Sequence, residues 1–134
     1  MLVIKNMLIL MVCIVILDMI WLGYLAKPLY IKSLGSFMHF KDGEMEINYV
    51  AAALVYVCLS LGIILFVMPL AEGVPMKAMM WGAIFGFLVY AIYDLTNLAI
   101  VHKWPLFISI IDMIWGGVLC GTCSYVLALF NKYY

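Results

Sequence analysis

A long apolar run, from Met76 to Val101, constrains the fold of this chain more than any other feature. About 20 consecutive apolar residues are enough for a helix to cross the hydrocarbon core of a bilayer. Three more apolar runs of similar length flank this one, and helices satisfy their own backbone hydrogen bonds in lipid. The sequence therefore predicts an all-α, polytopic membrane protein, a four-transmembrane-helix bundle. The predicted spans are about residues 7–26, 47–68, 76–101 and 107–130 of a single domain, residues 1–134.

The composition separates this chain from ordinary soluble proteins. Hydrophobic residues make up 69% of its 134 residues and charged residues only 10%, whereas a soluble domain has about 25% charged residues. The formal net charge is zero, and no cluster of basic residues suggests nucleic-acid binding. The lipid bilayer is therefore the expected partner.

The cysteines are interpreted as packing residues. All four lie within apolar runs, at Cys13, Cys58, Cys120 and Cys123. Cys120 and Cys123 form a C-x-x-C pair, but neither a basic neighbour nor a βαβ pattern accompanies it, as a redox or metal motif would require. We predict neither a cofactor nor a metal site.

Three aspartates, Asp18, Asp94 and Asp112, interrupt three of the predicted spans. A carboxylate inside a membrane costs about 2.5–3.5 kcal/mol and usually faces a bundle interior at a functional site. Alternating topology places all three on the same side of the bilayer, each within about 10 Å of the midplane at 1.5 Å per residue. The sequence therefore predicts an acidic pocket that opens towards the first loop.

Helical periodicity predicts which residues lie on the same helix face as these acids. Tyr90, Asp94 and Asn97 recur at i+4 and i+3 and share one helix face. Spans one, three and four are expected to form the pocket wall, with span two as support. No residue is assigned a catalytic role. The predicted substrate- or proton-binding residues are Asp18, Asp94, Asp112, Asn97, Tyr90, Trp21, Trp115 and Thr96.

The alternative is that the acids only fix helix packing, through hydrogen bonds from tyrosine, asparagine or indole groups. Such bonds contribute only about 0.6–2 kcal/mol each in membranes, which does not offset three carboxylates. No lysine or histidine is expected at the depth of the acids, because His102 and Lys103 fall at the membrane edge. Acids without a basic partner in a low dielectric favour binding of a proton or a cation.

Three features leave alternatives open. Leu17–Gly23 reappears in similar form as Ile111–Gly117, which fits an inverted repeat of the kind found in transporters, a shared need for an Asp–Trp pair, or chance similarity at similar helical positions. The first loop, about residues 27–46, fits either a lid over the pocket or an inert surface. Lysines are divided almost evenly between the two faces, so the positive-inside rule leaves the orientation open.

Several motifs together resemble one known family. They are Asp18-x-x-Trp21-Leu22-Gly23, the run from Tyr90 to Ala99, Trp104-Pro105-Leu106, and Asp112-x-x-Trp115-Gly116. Over essentially the whole chain they are similar to the predicted bacterial membrane proteins grouped as the domain of unknown function 2177 family. The resemblance implies a small four-span protein of the bacterial inner (cytoplasmic) membrane, and it brings no biochemical activity. Some relatives are encoded near lipid-modifying genes, and relatives often carry Arg in loops where this chain has only Lys.

Three functions fit these observations. The first is proton- or cation-linked transport of a small solute, in which Asp94 and Asp112 carry the proton or cation and a homodimer completes the path. The second is an intramembrane enzyme for lipid or isoprenoid substrates, which uses one protonated and one ionised aspartate as acid and base. The third is an accessory subunit of a membrane complex. The expected ligand is a lipid or a small cationic molecule.

Overall fold

Four long helices dominate the computed structural model, which describes residues 1–42 and 44–134, with all of their side chains except those at positions 41, 44 and 45. Each of the four is long and apolar enough to cross a membrane: Leu2–Leu25, Tyr49–Ala71, Pro75–Ile100 and Leu106–Tyr133. This confirms the all-α class and the four membrane-spanning helices predicted from the sequence. The depth at which each helix enters the bilayer remains a prediction.

The elements follow one another with few interruptions. Helix α1 (Leu2–Ile20) continues into a π-helical turn, Trp21–Leu25, and α2 (Lys27–Leu34) continues into a 3₁₀ turn, Gly35–Phe37. Strands β1 (Phe40–Lys41) and β2 (Glu44–Met45) pair antiparallel. Helix α3 (Tyr49–Gly62) runs through a second π-helical turn, Ile63–Val67, into α4 (Met68–Ala71), and α5 (Pro75–Ile100) and α6 (Leu106–Tyr133) complete the chain.

Prolines and one asparagine set where the helices begin. Pro28 and Pro75 lie in the first turns of α2 and α5, where a proline needs no hydrogen-bond donor. The Asn48 side chain accepts a hydrogen bond from the Ala51 amide at 3.1 Å and caps α3. The sequence predicts that the second span ends near residue 68, before Pro69. In the structure Pro69 lies in the first turn of α4, which a proline tolerates, and the helix continues to Ala71.

The apolar core fills the half of the bundle that is far from the first loop. Its buried members come from α1, the second span and α6, and they include Leu10, Ile14, Ile63, Leu119 and Leu127. The acids lie nearer the other end. Each is six or seven residues from the loop end of its long helix, which corresponds to about 10 Å. We call this end, which carries the described residues 27–42, 44–48 and 101–105, the loop end.

Helix α5 is packed differently against its two neighbours. It follows α6 along its length, and it meets the second span at α4 and at the π-helical turn Ile63–Val67. There the ring of Phe85 covers Gly62 so closely that a Cβ atom at Gly62 would overlap it. Towards the loop end α3 and α5 separate and leave two adjoining apolar hollows of about 410 and 440 Å³. We call these the lateral groove. It is lined by Leu54, Val55, Cys58, Leu59, Phe85, Val89, Tyr90, Tyr93 and Asp112.

Candidate functional site

A cavity of about 240 Å³ lies at the loop end, between spans one, three and four and helix α2. We call it the acid cavity. All three aspartates line it, so the structure brings the carboxyls of three helices to one place. Its polar and aromatic lining residues are Asp18, Asp94, Asp112, Lys27, Tyr30, Tyr90, Tyr93, Trp104 and Trp115. On the side away from the loop, Tyr90 and Trp115 pack against the apolar core, so the floor of the cavity is closed.

Asp18 is buried, with 8% of its surface exposed, and both of its oxygens are hydrogen-bonded. The Tyr56 hydroxyl donates to Oδ2 at 2.9 Å, and the Trp115 indole Nε1 donates to Oδ1 at 3.1 Å. Asp18 therefore ties α1 to both α3 and α6. Of the three acids, it fits best the alternative in which a carboxyl fixes helix packing.

Asp112 is half-buried and accepts a hydrogen bond of 2.6 Å from the Tyr30 hydroxyl. The Tyr30 hydroxyl in turn accepts a bond from the Trp21 indole Nε1 at 3.3 Å. Burial raises the pKa of Tyr30, and its hydrogen bond to Asp112 and the charge of that carboxyl raise it further. The phenol therefore keeps its proton and remains a donor to Asp112 over the whole neutral range.

Asp94 is the most buried of the three acids, with 2% of its surface exposed. Its carboxyl neighbours that of Asp112. Among the described residues, no donor lies within hydrogen-bonding distance of its Oδ2 atom. A buried polar atom without a partner costs about 1–3 kcal/mol. Asp94 therefore has the strongest unmet demand for a donor that a ligand could bring into the cavity.

The repeated Asp-x-x-Trp motif forms one connected unit. The rings of Trp21 and Trp115 stack with centroids 4.5 Å apart and planes 5° from parallel. Trp115 bonds Asp18 directly, whereas Trp21 reaches Asp112 through Tyr30. Each tryptophan thus serves the aspartate of the other motif. This reciprocal arrangement is consistent with both a shared need for an Asp–Trp pair and an inverted repeat.

The structure places the remaining predicted residues at different distances from the cavity. Tyr90 and Trp115 line the cavity, whereas Trp21 lies outside the lining and donates a hydrogen bond to Tyr30. Asn97 is half-buried but lies outside the lining, and Thr96 is exposed. Thr96 follows Asp94 by two positions, about 200° around the helix, so it points away from the acid. A role of all eight predicted residues in binding remains a prediction.

Sequence reasoning missed part of this site. Lys27 lines the cavity, although no lysine was expected beside the acids. Tyr30 also comes from the supposed loop, and Tyr56 comes from span two, which was expected only to support the pocket wall. Pro28 was an available signal, because proline in the first turn is typical of a helix start and would have predicted α2.

The comparison with protein families agrees with this architecture. The model of the family DUF2177, described as a predicted membrane protein, matches residues 3–129. The chain belongs to this family. The match confirms the family suspected from the sequence motifs and includes all three aspartates. No match was found among curated proteins or among solved structures.

In this DUF2177 member the acid cavity is rich in carboxyl groups, which accept hydrogen bonds. Three carboxyls face one lysine. In the part of the chain that the structure describes, the recorded ion pair is the one between Lys77 and Glu72, outside the cavity. Across the same residues, no three His, Cys, Asp or Glu side chains converge closely enough to hold a metal ion. The arrangement suits a cationic or hydrogen-bond-donating group.

Proposed function

We propose that this DUF2177 protein is an intramembrane enzyme that binds the polar head of a membrane-dissolved lipid in the acid cavity. This is the second of the three functions considered from the sequence. The observation that supports it best is that the acid cavity and the lateral groove share Tyr90, Tyr93 and Asp112. The cavity and the groove therefore adjoin. We propose that a ligand whose head lies among the acids extends its apolar part sideways between α3 and α5 without entering water.

The neighbouring carboxyls of Asp94 and Asp112 supply the chemistry of the proposal. Two ionised carboxyls so close in a site of low dielectric would repel each other, so we propose that the pair works with one carboxyl protonated and the other ionised. A protonated acid beside an ionised one can act as general acid and general base. We assign proton transfer to and from the bound head group to this pair. Asp18, with both oxygens already bonded, positions α1 and Trp115.

The test is the lipid composition of a strain that lacks the gene. Wild-type protein should restore the composition, and Asp94→Asn should not, although it keeps the size of the side chain. Glu72→Gln is the matched control, because it removes an exposed carboxyl paired with Lys77 outside the cavity. An unchanged lipid composition in the deletion strain would count against lipid chemistry, provided the protein is expressed in the parent strain.

Proton- or cation-linked transport is the second candidate, and one observation favours it. Three buried polar atoms lie between the acids and the opposite face of the bundle without a hydrogen-bond partner in the described residues: Asn6 Oδ1, Ser60 Oγ and Ser124 Oγ. The two serine hydroxyls could relay protons through the packed half, and a second copy of the chain could complete a solute path. Proton flux in proteoliposomes that falls in both Asp94→Asn and Ser60→Ala would support transport over lipid chemistry.

The family match establishes only part of the cellular location. It is a membrane protein of four spanning helices. The bacterial inner membrane is the location we propose, on the resemblance to bacterial relatives. An accessory role in a larger membrane complex would be favoured by a stoichiometric partner whose association, but not its activity, depends on the acids.

A further inference from the structure

We infer that the lipid bound at this site is a zwitterionic aminophospholipid. Its primary ammonium group binds Asp94 and Asp112, its phosphate binds Lys27, and one of its acyl chains lies in the lateral groove. This inference rests on the proposed function and names the substrate class of the same site.

We infer the ammonium group from the lack of a hydrogen-bond donor at Asp94 among the described residues. The carboxyl lines the cavity with 2% of its surface exposed, and its Oδ2 atom is without a partner among the described residues. A primary ammonium brings three N–H donors, enough to satisfy Asp94 and to share with Asp112. A quaternary ammonium brings positive charge but no donor, so it would leave the Asp94 oxygen unsatisfied.

Aromatic rings complete the surroundings of such a cation. Tyr90, Tyr93, Trp104 and Trp115 line the same cavity as the acids. Two rings hold Trp104 in place. Tyr93 packs edge-on against it with ring centroids 6.2 Å apart, and Phe37 also packs against it with ring centroids 5.2 Å apart. Aromatic faces attract cations, most strongly where water is excluded.

Lys27 supplies the contact for the phosphate. It begins α2, next to the end of the first span, and we therefore place it at the depth of the lipid head groups. Its side chain is exposed and lines the cavity. No acid lies within ion-pairing distance of it in the described part of the chain. A phosphate near three carboxyls would be repelled unless a cation accompanied it, and lysine is a common phosphate ligand.

The lateral groove fits one acyl chain. Along α5 it runs from Tyr93 to Phe85, which is eight residues or about 12 Å. One leaflet of the hydrocarbon core is about 15 Å thick. The hollows of about 410 and 440 Å³ are in the range of ligand pockets, and their walls are leucine, valine and phenylalanine. A chain in the groove would point from the acids towards the bilayer centre, as lipid chains do.

The experiment is lipid competition on the purified full chain. The protein is reconstituted with equal amounts of phosphatidylethanolamine, phosphatidylcholine and phosphatidylglycerol, and bound lipids are identified by native mass spectrometry. We expect phosphatidylethanolamine to be retained at least about tenfold over both others. Only its head group joins N–H donors to a positive charge, whereas phosphatidylcholine has the charge without donors and phosphatidylglycerol has neutral hydroxyl donors on an anionic lipid. Asp94→Asn should abolish this preference, and Glu72→Gln should keep it.

Two further variants separate the parts of the inference. Lys27→Gln should weaken retention of phosphatidylethanolamine but not of a long-chain primary alkylamine, which has no phosphate. Leu54→Trp should fill the groove from an exposed position, with 59% of Leu54 accessible, and should reduce retention of every lipid while leaving the melting temperature unchanged.

The outcomes distinguish this inference from the proposed function. Equal retention of the three lipids in the wild type, reduced by Leu54→Trp, would overturn the aminophospholipid and leave lipid binding in place. Retention that is insensitive to Leu54→Trp would overturn the groove as the chain site. A lipid composition that does not depend on Asp94 in cells, together with selective retention in vitro, would overturn the enzyme and leave the aminophospholipid site.

Discussion

Helix α5 has a closed side and an open side. Against α6 it packs along its length, with Gly82 and Gly86 facing Gly116, Cys120 and Ser124. Against α3 it diverges, and the lateral groove separates the two helices. The residues explain the difference. Small residues let two backbones approach, whereas α3 presents leucines and valines that line the groove without filling it.

This comparison assigns different tasks to the two halves of the molecule. The α5–α6 pair is a fixed frame that carries Asp94 and Asp112 side by side. Helix α3 is attached mainly to α1, with Tyr56 bonded to Asp18, and it leaves α5 accessible from the side. A rigid acidic pair beside an opening is what a membrane-embedded site needs if its ligand arrives within the bilayer.

The largest effect is expected from Gly86→Val on the closed side. A Cβ atom at Gly86 would overlap the Gly116 carbonyl and the Cys120 Cβ atom, so the substitution must push α5 and α6 apart. Overpacking of this kind costs about 1–3 kcal/mol or more. We expect a marked loss of monodisperse protein and a lower melting temperature.

The control for this prediction is Gly23→Ala. A Cβ atom at Gly23 would meet no heavy atom within 4 Å, so this variant should behave like the wild type. A Gly86→Val protein as stable as Gly23→Ala would show that the close approach of α5 and α6 is not required.

The next effect in size is expected from Tyr30→Phe, which cuts the tie between α2 and α6 at Asp112. A hydrogen bond to a charged acceptor contributes about 1.5–3 kcal/mol. Since the pKa of Tyr30 is raised in the folded state, its stabilising contribution is complete below the unfolded-state pKa of about 10. It is lost as the pH rises above that value. Tyr30→Phe should therefore be less stable at pH 7 and less sensitive to alkali.

The measurement is the melting temperature between neutral pH and the pH range where tyrosines ionise. Tyr24→Phe is the control, because Tyr24 is 84% exposed. Parallel pH profiles for the wild type and Tyr30→Phe would contradict the buried Tyr30–Asp112 bond.

A smaller effect is expected from Tyr56→Phe on the open side. It removes the hydrogen bond to Asp18, and such bonds within membranes contribute about 0.6–1.7 kcal/mol. Helix α3 should also become less restrained relative to α5. Spin labels on the two helices should then give a broader distance distribution, whereas Tyr49→Phe, at an exposed position of α3, should leave it unchanged.

The sequence was sufficient for the frame of this fold, and the reason is physical. Apolar runs of spanning length must become helices in lipid, and alternation of four spans fixes which helix ends share a face. The common level of Asp18, Asp94 and Asp112 therefore follows from counting residues. The family followed as well, because its motifs lie at these same acids.

The details of the site did not follow, because they depend on contacts between distant segments. Tyr30 and Asp112 are 82 residues apart, and no periodicity links them. Helix α2 is short and only weakly amphipathic, so residues 27–34 resembled a loop. Thr96 is among the predicted site residues, but it lies two positions from Asp94, and residues at i and i+2 of a helix do not face each other.

The smallest effect on stability is expected at the turn between α4 and α5, which is at the opposite end of the second span from the lateral groove. There Lys77 donates a hydrogen bond of 2.6 Å to Glu72, and both side chains are exposed. That bond, and the charge of Lys77, lower the pKa of Glu72. The contribution of the pair is therefore present above the unfolded-state pKa and is lost as the pH falls. Exposed ion pairs contribute little to stability, so Glu72→Gln should have the melting temperature of the wild type at pH 7. Its melting temperature should fall less than that of the wild type as the pH is lowered. A clear loss of stability at pH 7 would mean that this turn, and not the core at Ile63–Val67, holds α5 to the second span.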